Sequence, residues 1–410
     1  MNYVLIGNST AAIGCIEGIR SVDQEGAITV ISEEPYEAYG RPLISYLLMG
    51  KTDWEHMRYR EPSFYETMGV ELLLGRRAEK IDSKSKKILL EDQSSLSYDK
   101  LLVATGSRPF LPPMEGLEKV EKRFFFMTLD DALALERELN GEKRVLIVGA
   151  GLIGMKCAEG IARRVARVDI CDLAPRVLPT VLDDEAATLV QQEMEHHGCV
   201  FHLGASVERF FDNTAMLTNG EKVPFDLLVI AVGVRPNVEL VREAGGSVAK
   251  GIVVDETGKT SLEDVYAAGD CVESHDLTNG KDGVIAILPN AYLQGHAAGV
   301  SMAGGEERFD ETMPMNAGGF FGVHLVTAGS YEGESHITKT ENSYRRLVIK
   351  DGVLKGFIIV GDIRRSGIYT ALIRKRIPLH DIDLERLLES PQLLVYDRKT
   401  REELLGGAAI

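Results

Sequence analysis

The run Arg144-Val-Leu-Ile-Val-Gly-Ala-Gly-Leu-Ile-Gly154, followed by Arg167-Val-Asp-Ile-Cys-Asp172, decides how this chain is read. An apolar, β-branched run ends in Gly149-x-Gly151-x-x-Gly154, a helix is predicted to follow through about Arg164, and a second apolar run ends on a carboxylate. A glycine triad alone is a weak signal, because glycine ends strands for ordinary turn reasons. Here each glycine has a task. Gly149 permits a tight turn, Gly151 lets the backbone approach a pyrophosphate at the positive end of the helix, and Gly154 lets the helix pack close to the sheet. Asp172 suits the 2′-hydroxyl of an adenosine ribose and would repel a 2′-phosphate, so NADH is favoured over NADPH. Arg163, Arg164 and Arg176 are near in sequence and leave phosphate binding open.

The same grammar stands at the N-terminus. Asn2-Tyr-Val-Leu-Ile-Gly7 is an apolar run ending in glycine, Ala11, Ile13, Ile16 and Ile19 recur at helical spacing, and Ala27-Ile-Thr-Val-Ile31 is closed by Ser32-Glu33-Glu34-Pro35. The glycine motif is degenerate, Gly7-x-Ser9-x-x-Ala12. Ser9 still allows fairly close backbone approach, and Ala12 is small enough for helix–strand packing. Glu33 or Glu34 fills the acidic role at the ribose. Two such units imply two dinucleotides, and a nicotinamide with a flavin is the productive combination, because one moves hydride pairs and the other can pass electrons singly.

Each unit is followed at a similar distance by a buried-strand signature ending in a loop. Lys100-Leu-Leu-Val-Ala-Thr-Gly106 precedes Ser107-Arg-Pro109, and Phe225-Asp-Leu-Leu-Val-Ile-Ala-Val-Gly233 precedes Val234-Arg-Pro236. Residues 251–255 and 265–270 read as a strand pair returning to the first domain, which makes the second unit an insertion. From about Glu311 the pattern changes to strands at 344–349 and 354–360 joined by Asp351-Gly352, a hairpin signal, then to helical stretches near 367–375 and 383–388. The expected fold is α/β: two Rossmann-like dinucleotide-binding domains, one inserted in the other, plus a smaller C-terminal α+β domain. The expected limits are 1–112 with 240–310 for the FAD-binding domain, 113–239 for the NAD(H)-binding domain and 311–410 for a C-terminal interface domain.

Composition bounds the function. The 410 residues suit two or three domains, and 44% hydrophobic with 26% charged residues excludes disorder or coiled coil as the main architecture. A net charge of −16 argues against a nucleic-acid partner. The cysteines, Cys15, Cys157, Cys171, Cys199 and Cys271, are odd in number and scattered, with no vicinal redox pair and no zinc or iron–sulfur run. No metal is assigned. Redox chemistry therefore calls for a bound organic cofactor. No apolar stretch reaches a membrane span and no signal segment is read, so the expected location is the cytoplasm.

These motifs resemble the two-dinucleotide-binding flavoproteins that include the pyridine nucleotide–disulfide oxidoreductases, and within them NADH:rubredoxin and ferredoxin reductases and the flavoprotein part of nitrite reductase large subunits. The resemblance covers essentially the whole chain, with Thr260-Ser-x-x-x-Val-Tyr-Ala-Ala-Gly-Asp270 its most diagnostic element. It implies FAD contacts at Gly7, Ser9, Ala11, Ala12, Glu33, Glu34, Arg41, Pro42, Ala78, Ala104, Thr105, Gly106, Gly269, Asp270, Asn290 and Ala291. NAD(H) contacts are implied at Gly149, Gly151, Leu152, Ile153, Gly154, Asp172, Val232 and Gly233. The helix starting near Leu288 would direct its positive end at the flavin. Gln294 and His296 read as packing residues, and His196-His197 as a helix C-terminal cap.

Departures from the family pattern sharpen the expectation. Where thiol-using relatives place a single cysteine before the first domain's Gly-x-Pro, this chain has Tyr39. Where relatives pair a lysine and a glutamate beside the flavin, it has Tyr46 and Lys156, the two candidates for a role in catalysis. Met127 falls where relatives often carry an arginine. The expected activity is hydride exchange between NAD(H) and FAD, with single electrons passing between FAD and an iron–sulfur or rubredoxin-type carrier or enzyme subunit. The chain is expected to act as a homodimer or in a larger complex. The alternatives are an NADH oxidase or peroxidase using oxygen, and a non-catalytic FAD-binding electron-transfer or redox-sensing subunit. Basic residues at 364–365 and 374–376 read as a solvated helix face or as a docking surface for an acidic carrier.

Overall fold

The computed structural model describes residues 1–389, Pro391, Gln392 and Val395, so the end of the expected C-terminal domain lies outside the described residues. The first sheet runs in the order Val265–Ala267, Lys100–Val103, Asn2–Ile6, Ala27–Ser32 and Val70–Leu74, with every pair parallel. Such a sheet must be covered on both faces, which is why its strands read as continuous apolar runs. Alternation sorts the residues. Tyr3, Leu5, Ile28, Val30 and Leu102 pack under the helices, whereas Val4, Ile6, Ile31, Leu101 and Val103 pack with Ile81, Ile88 and Tyr98 on the opposite face.

The second sheet repeats this plan. Cys199–Leu203, Arg167–Asp172, Arg144–Val148, Leu227–Ile230 and Arg123–Phe124 are all parallel. In both halves an antiparallel three-stranded meander covers one face: Ala78–Asp82, Lys87–Leu90 and Ser95–Ser97 in the first, Val207–Phe211, Thr214–Leu217 and Lys222–Pro224 in the second. The two loop segments that looked alike in sequence, Ser107–Pro109 and Val234–Pro236, pair with each other as an antiparallel ribbon where the chain passes between the halves.

The expected returning strand pair needs correction. Val265–Ala267 joins the edge of the first sheet, but Ile252–Val253 pairs with Val272–His275 in a separate small sheet. Both segments are short and apolar, and nothing local specifies their partners. The hairpin stands as read: Ser343–Lys350 and Val353–Val360 pair through Asp351 and Gly352, both with positive φ, as a tight two-residue turn requires. They belong to an antiparallel sheet with Met315–Phe320, Val323–Gly329 and Glu334–Thr340. Helix Ser366–Arg374 buries Tyr369, Leu372 and Ile373 against Leu347, Phe357 and Ile359 of that sheet.

Helices Thr10–Val22 and Leu288–Met302 cross backbone to backbone. A Cβ on Gly14 would lie 2.2 Å from the Tyr292 carbonyl oxygen, one on Gly18 2.3 Å from that of His296, one on Gly295 2.0 Å from that of Ala11, and one on Gly299 2.2 Å from that of Cys15. Gly14→Ala or Gly295→Ala is therefore expected to lower stability by about 1–3 kcal/mol, read as a lower melting temperature. Gly141→Ala, whose Cβ would meet nothing within 4 Å, should leave it unchanged.

Candidate functional site

Both glycine turns put a close backbone contact at the end of the central strand. Gly7 has φ +108° and Gly149 φ +114°, and an added Cβ would fall 2.1 Å from the Ala104 carbonyl oxygen or 2.3 Å from that of Ala231. A Cβ on Gly154 would be 2.0 Å from the Gly149 oxygen, so the helix seats directly on the turn. A Cβ added at Gly151 would meet nothing within 4 Å, leaving room for a group to approach the backbone there.

The helices that start at these turns are uncapped. Ser9 before Thr10–Val22, Gly151 before Leu152–Ile161 and Ile287 before Leu288–Met302 make no side-chain capping bond. The outer helices of the second half are capped in the ordinary way, Leu129–Glu136 by a Thr128–Asp131 capping box and Asp184–His196 by Asp183. Open first-turn amides beside glycine backbone form an anion site. Two such sites, each with a carboxylate at the next strand end, fit two dinucleotides.

The carboxylates differ in their commitments. Asp172 accepts from Ala150 N at 2.7 Å and from Ala174 N at 2.8 Å, which holds it against the second turn with acceptor capacity left over. Glu34 is engaged twice, by the Tyr39 hydroxyl at 2.6 Å and by the Arg41 guanidinium, while Glu33 is exposed. Arg41 also donates to the Met127 carbonyl at 3.3 Å, with Pro42 in the same short turn, Arg41–Leu43. Burial raises the Asp270 carboxyl above its ordinary value, and the positive charge of Arg41 opposes that shift.

Three segments predicted to face the flavin converge. A Cβ on Gly269 would sit 3.2 Å from the Cβ of Ala11 and 3.6 Å from that of Ala291. Ala12 is buried in the helix beside them, and Asn290 is buried in the first turn of Leu288–Met302, donating to the Met313 carbonyl at 3.2 Å. Asn290 Oδ1 has no partner among the described residues. Ala104 closes the first turn, and Val232 and Gly233 follow the equivalent Ala231. Ala78 begins the meander and packs against the buried cluster that contains Ile81.

Sequence reasoning missed several positioning residues. Gln294 accepts from Gly269 N at 2.9 Å and donates to Ser274 at 2.7 Å, so it fixes the loop before Asp270. Thr105 and Asn237 bond reciprocally through side chains and carbonyls, both at 2.8 Å, and Asn237 also meets Gly106. Asn8 is held by the Tyr65 hydroxyl at 2.8 Å. The paired Gly-x-x-x-Gly spacings at 14–18 and 295–299 were a usable signal for the helix crossing. His296 meets Glu307 at 2.8 Å, and His197 caps its helix, with its ring nitrogen 3.0 Å from the Glu193 carbonyl.

Tyr46 and Lys156 are brought together. The Lys156 ammonium lies 4.9 Å from the Tyr46 ring centre and donates to Glu159 and to the Gly319 carbonyl, each at 2.7 Å. Every cysteine is buried. Burial pushes the Cys171 and Cys199 thiols up to about 12 and Cys271 to about 11, and raises Cys15 and Cys157 further. No cysteine lies between positions 15 and 157, and Tyr39 is spent on Glu34 and on accepting from Leu129 N at 2.9 Å.

Two glycine-turn sheets with open helix termini and a mixed C-terminal domain define a two-dinucleotide flavoprotein fold. Residues 1–295 match the family model of pyridine nucleotide-disulphide oxidoreductases, and residues 314–377 match the rubredoxin NAD+ reductase C-terminal domain. The chain belongs to the pyridine nucleotide-disulphide oxidoreductase family and is an FAD-dependent, NAD(H)-linked oxidoreductase. It is 32% identical to the NADH-dependent phenylglyoxylate dehydrogenase subunit epsilon of Aromatoleum evansii over 92% of this chain and 92% of that protein. It is 29% identical to the assimilatory nitrate reductase electron transfer subunit of Bacillus subtilis (strain 168), covering 91% of this chain but 49% of that relative, about half its length. Putidaredoxin reductase, in its covalent complex with putidaredoxin, shares the fold with a TM-score of 0.85 at 24% identity, over 100% of this chain and 99% of that one. Among the described residues no helix is long and apolar enough to cross a membrane.

Two measurements check this site. At pH 8 the native protein is expected to leave all five thiols unreacted with Ellman's reagent, and the denatured protein to expose them all, since thiols raised this far carry almost no thiolate. Asp172→Ala should weaken NADH binding about tenfold and narrow the preference over NADPH by a similar factor, measured by titration.

Proposed function

We propose that this chain is the NADH-linked flavoprotein of an electron-transfer system, exchanging hydride with NAD(H) and single electrons with an iron–sulfur or rubredoxin-type protein or enzyme subunit. The observation that carries this reading is the coincidence of two open dinucleotide turns with the burial of every cysteine, which leaves no side-chain thiol to relay electrons. FAD, when bound, supplies the chemistry that converts a hydride pair into single electrons. The protein's work is to hold and orient.

In this reading the 7–12 turn, Thr105, Gly106, Asp270 and the start of Leu288–Met302 hold FAD. Glu33 serves its ribose, because Glu34 is bound to Tyr39 and Arg41. The open first turn of Leu288–Met302 favours negative charge on the reduced flavin. The 149–154 turn and Asp172 hold NAD(H), with Leu152 and Ile153 supplying first-turn amides. The Ser107–Pro109 and Val234–Pro236 ribbon supports domain limits of 1–112 with 240–310 and 113–239, with an interface domain from 311. The match to a rubredoxin reductase C-terminal domain and the relatives that serve as electron-transfer or dehydrogenase subunits support a protein acceptor. The cytoplasm is the proposed location.

Anaerobic titration with NADH tests this. The yellow protein is expected to bleach with about one equivalent per flavin, and to recover colour when an oxidised rubredoxin or ferredoxin is added. A flavin that NADH does not bleach would overturn the reading. Rapid oxygen consumption with NADH alone, undiminished by a carrier, would favour an oxidase instead.

A further inference from the structure

Helix Leu152–Ile161 carries a charge pair that the glycine turn does not require. Lys156 is 19% exposed and Glu159 5%, yet the ammonium reaches beyond its partner to the Gly319 carbonyl, and Glu159 Oε1 accepts from Phe321 N at 2.9 Å. A pair this buried persists because its remaining hydrogen-bonding capacity is met, and here backbone of the C-terminal sheet meets it. Phe321 has φ +50°, a left-handed conformation unfavourable for a bulky residue. Its ring stacks on His197 at 4.0 Å, so the strained turn is held from two sides by the second half of the molecule.

The ammonium also lies between two ring faces, Tyr46 at 4.9 Å and Phe320 at 5.0 Å. Tyr46 sits in helix Ile44–Leu48, directly after the Arg41–Leu43 turn. That helix crosses Leu152–Ile161 closely, since a Cβ on Gly160 would lie 3.2 Å from the Ser45 carbonyl oxygen. Lys156 is about one helical turn from the open N-terminus at Leu152. A short helix of the first half, the helix that opens on the second glycine turn and a strand end of the C-terminal sheet thus meet at one cation.

We propose that Lys156 and Glu159 are positioning residues that couple the nicotinamide-nucleotide site to the C-terminal domain: Lys156 fixes the Tyr46 ring against the helix that opens on the second glycine turn, and the pair holds the turn at residues 319–321. The proposal rests on the reading that the 149–154 turn holds NAD(H). By linkage, what the nucleotide does to the C-terminal turn, the turn does in return to nucleotide affinity.

Hydrogen exchange on the FAD-loaded full chain, with and without NAD+, tests the coupling. In the wild type, saturating NAD+ is expected to slow exchange of the Phe321 amide several-fold. Lys156→Met should speed that exchange about tenfold without nucleotide and abolish the response to NAD+, and Lys156→Arg should restore most of it. Tyr46→Leu leaves the charge pair in place, so it should keep wild-type exchange in the nucleotide-free state and lose the NAD+ response. This variant also decides the matter if Lys156→Met does not fold. In steady-state assays both variants should raise KM for NADH about tenfold with kcat within about twofold, and the double variant should be no worse than either. Unchanged Phe321 exchange in Lys156→Met, a persisting NAD+ response in Tyr46→Leu, or losses that multiply would each overturn the proposal. Failure of NAD+ to protect the 149–154 amides of the wild type would instead fail the reading of that turn, and nucleotide-free exchange in Lys156→Met would then judge the clasp by itself.

Discussion

The close crossing of Thr10–Val22 and Leu288–Met302 is the contact on which the arrangement of the first half depends. Four glycines remove the Cβ atoms that would otherwise separate the backbones, and Gly269 nests against Ala11 and Ala291 at the same end. The crossing sets two uncapped helix N-termini side by side and brings the loop carrying Asp270 to both. Gln294 then fixes that loop from the second helix. Electrostatic character follows from geometry: the positive helix ends are aimed by a steric constraint made elsewhere along the helices.

Duplication accounts for most of the remaining architecture. Each half has a parallel sheet, a positive-φ glycine at the end of its central strand, a helix seated on that turn and a meander behind. The halves diverge in their glycine motifs. The second keeps all three motif glycines, while the first substitutes Ser9 and Ala12, which an extended Ser9 and a buried Ala12 accommodate without loss of the turn. Capping separates these helices by position within a half, because an open helix end is costly unless water or a ligand satisfies it. The outer helices Leu129–Glu136 and Asp184–His196 carry side-chain caps, and the inner ones that face the turns do not.

The C-terminal domain is tied chiefly to the second half. Asp183 caps Asp184–His196 and also receives the Tyr344 hydroxyl at 2.6 Å and Arg346 at 3.2 Å, while Tyr331 donates to the Val181 carbonyl at 3.1 Å. Lys156 and Glu159 add polar bonds to Gly319 and Phe321.

The sequence by itself determined the two strand–glycine–helix–strand units, their acidic strand ends, the interruption of one by the other and the Asp351-Gly352 hairpin. These are local properties: side-chain period, the backbone freedom of glycine and turn chemistry are set within a few residues. It also showed that no two cysteines stand at the close spacing of a vicinal redox pair. Only the tertiary structure decided that Ile252–Val253 pairs away from the first sheet, that Glu34 is spent on Tyr39 and Arg41 while Glu33 stays exposed, and that Lys156 turns toward Gly319. The partners in these cases lie on other elements, often far along the chain. A short strand, a carboxylate or an ammonium takes whichever partner the packed chain presents, and its own neighbours in sequence do not specify that choice.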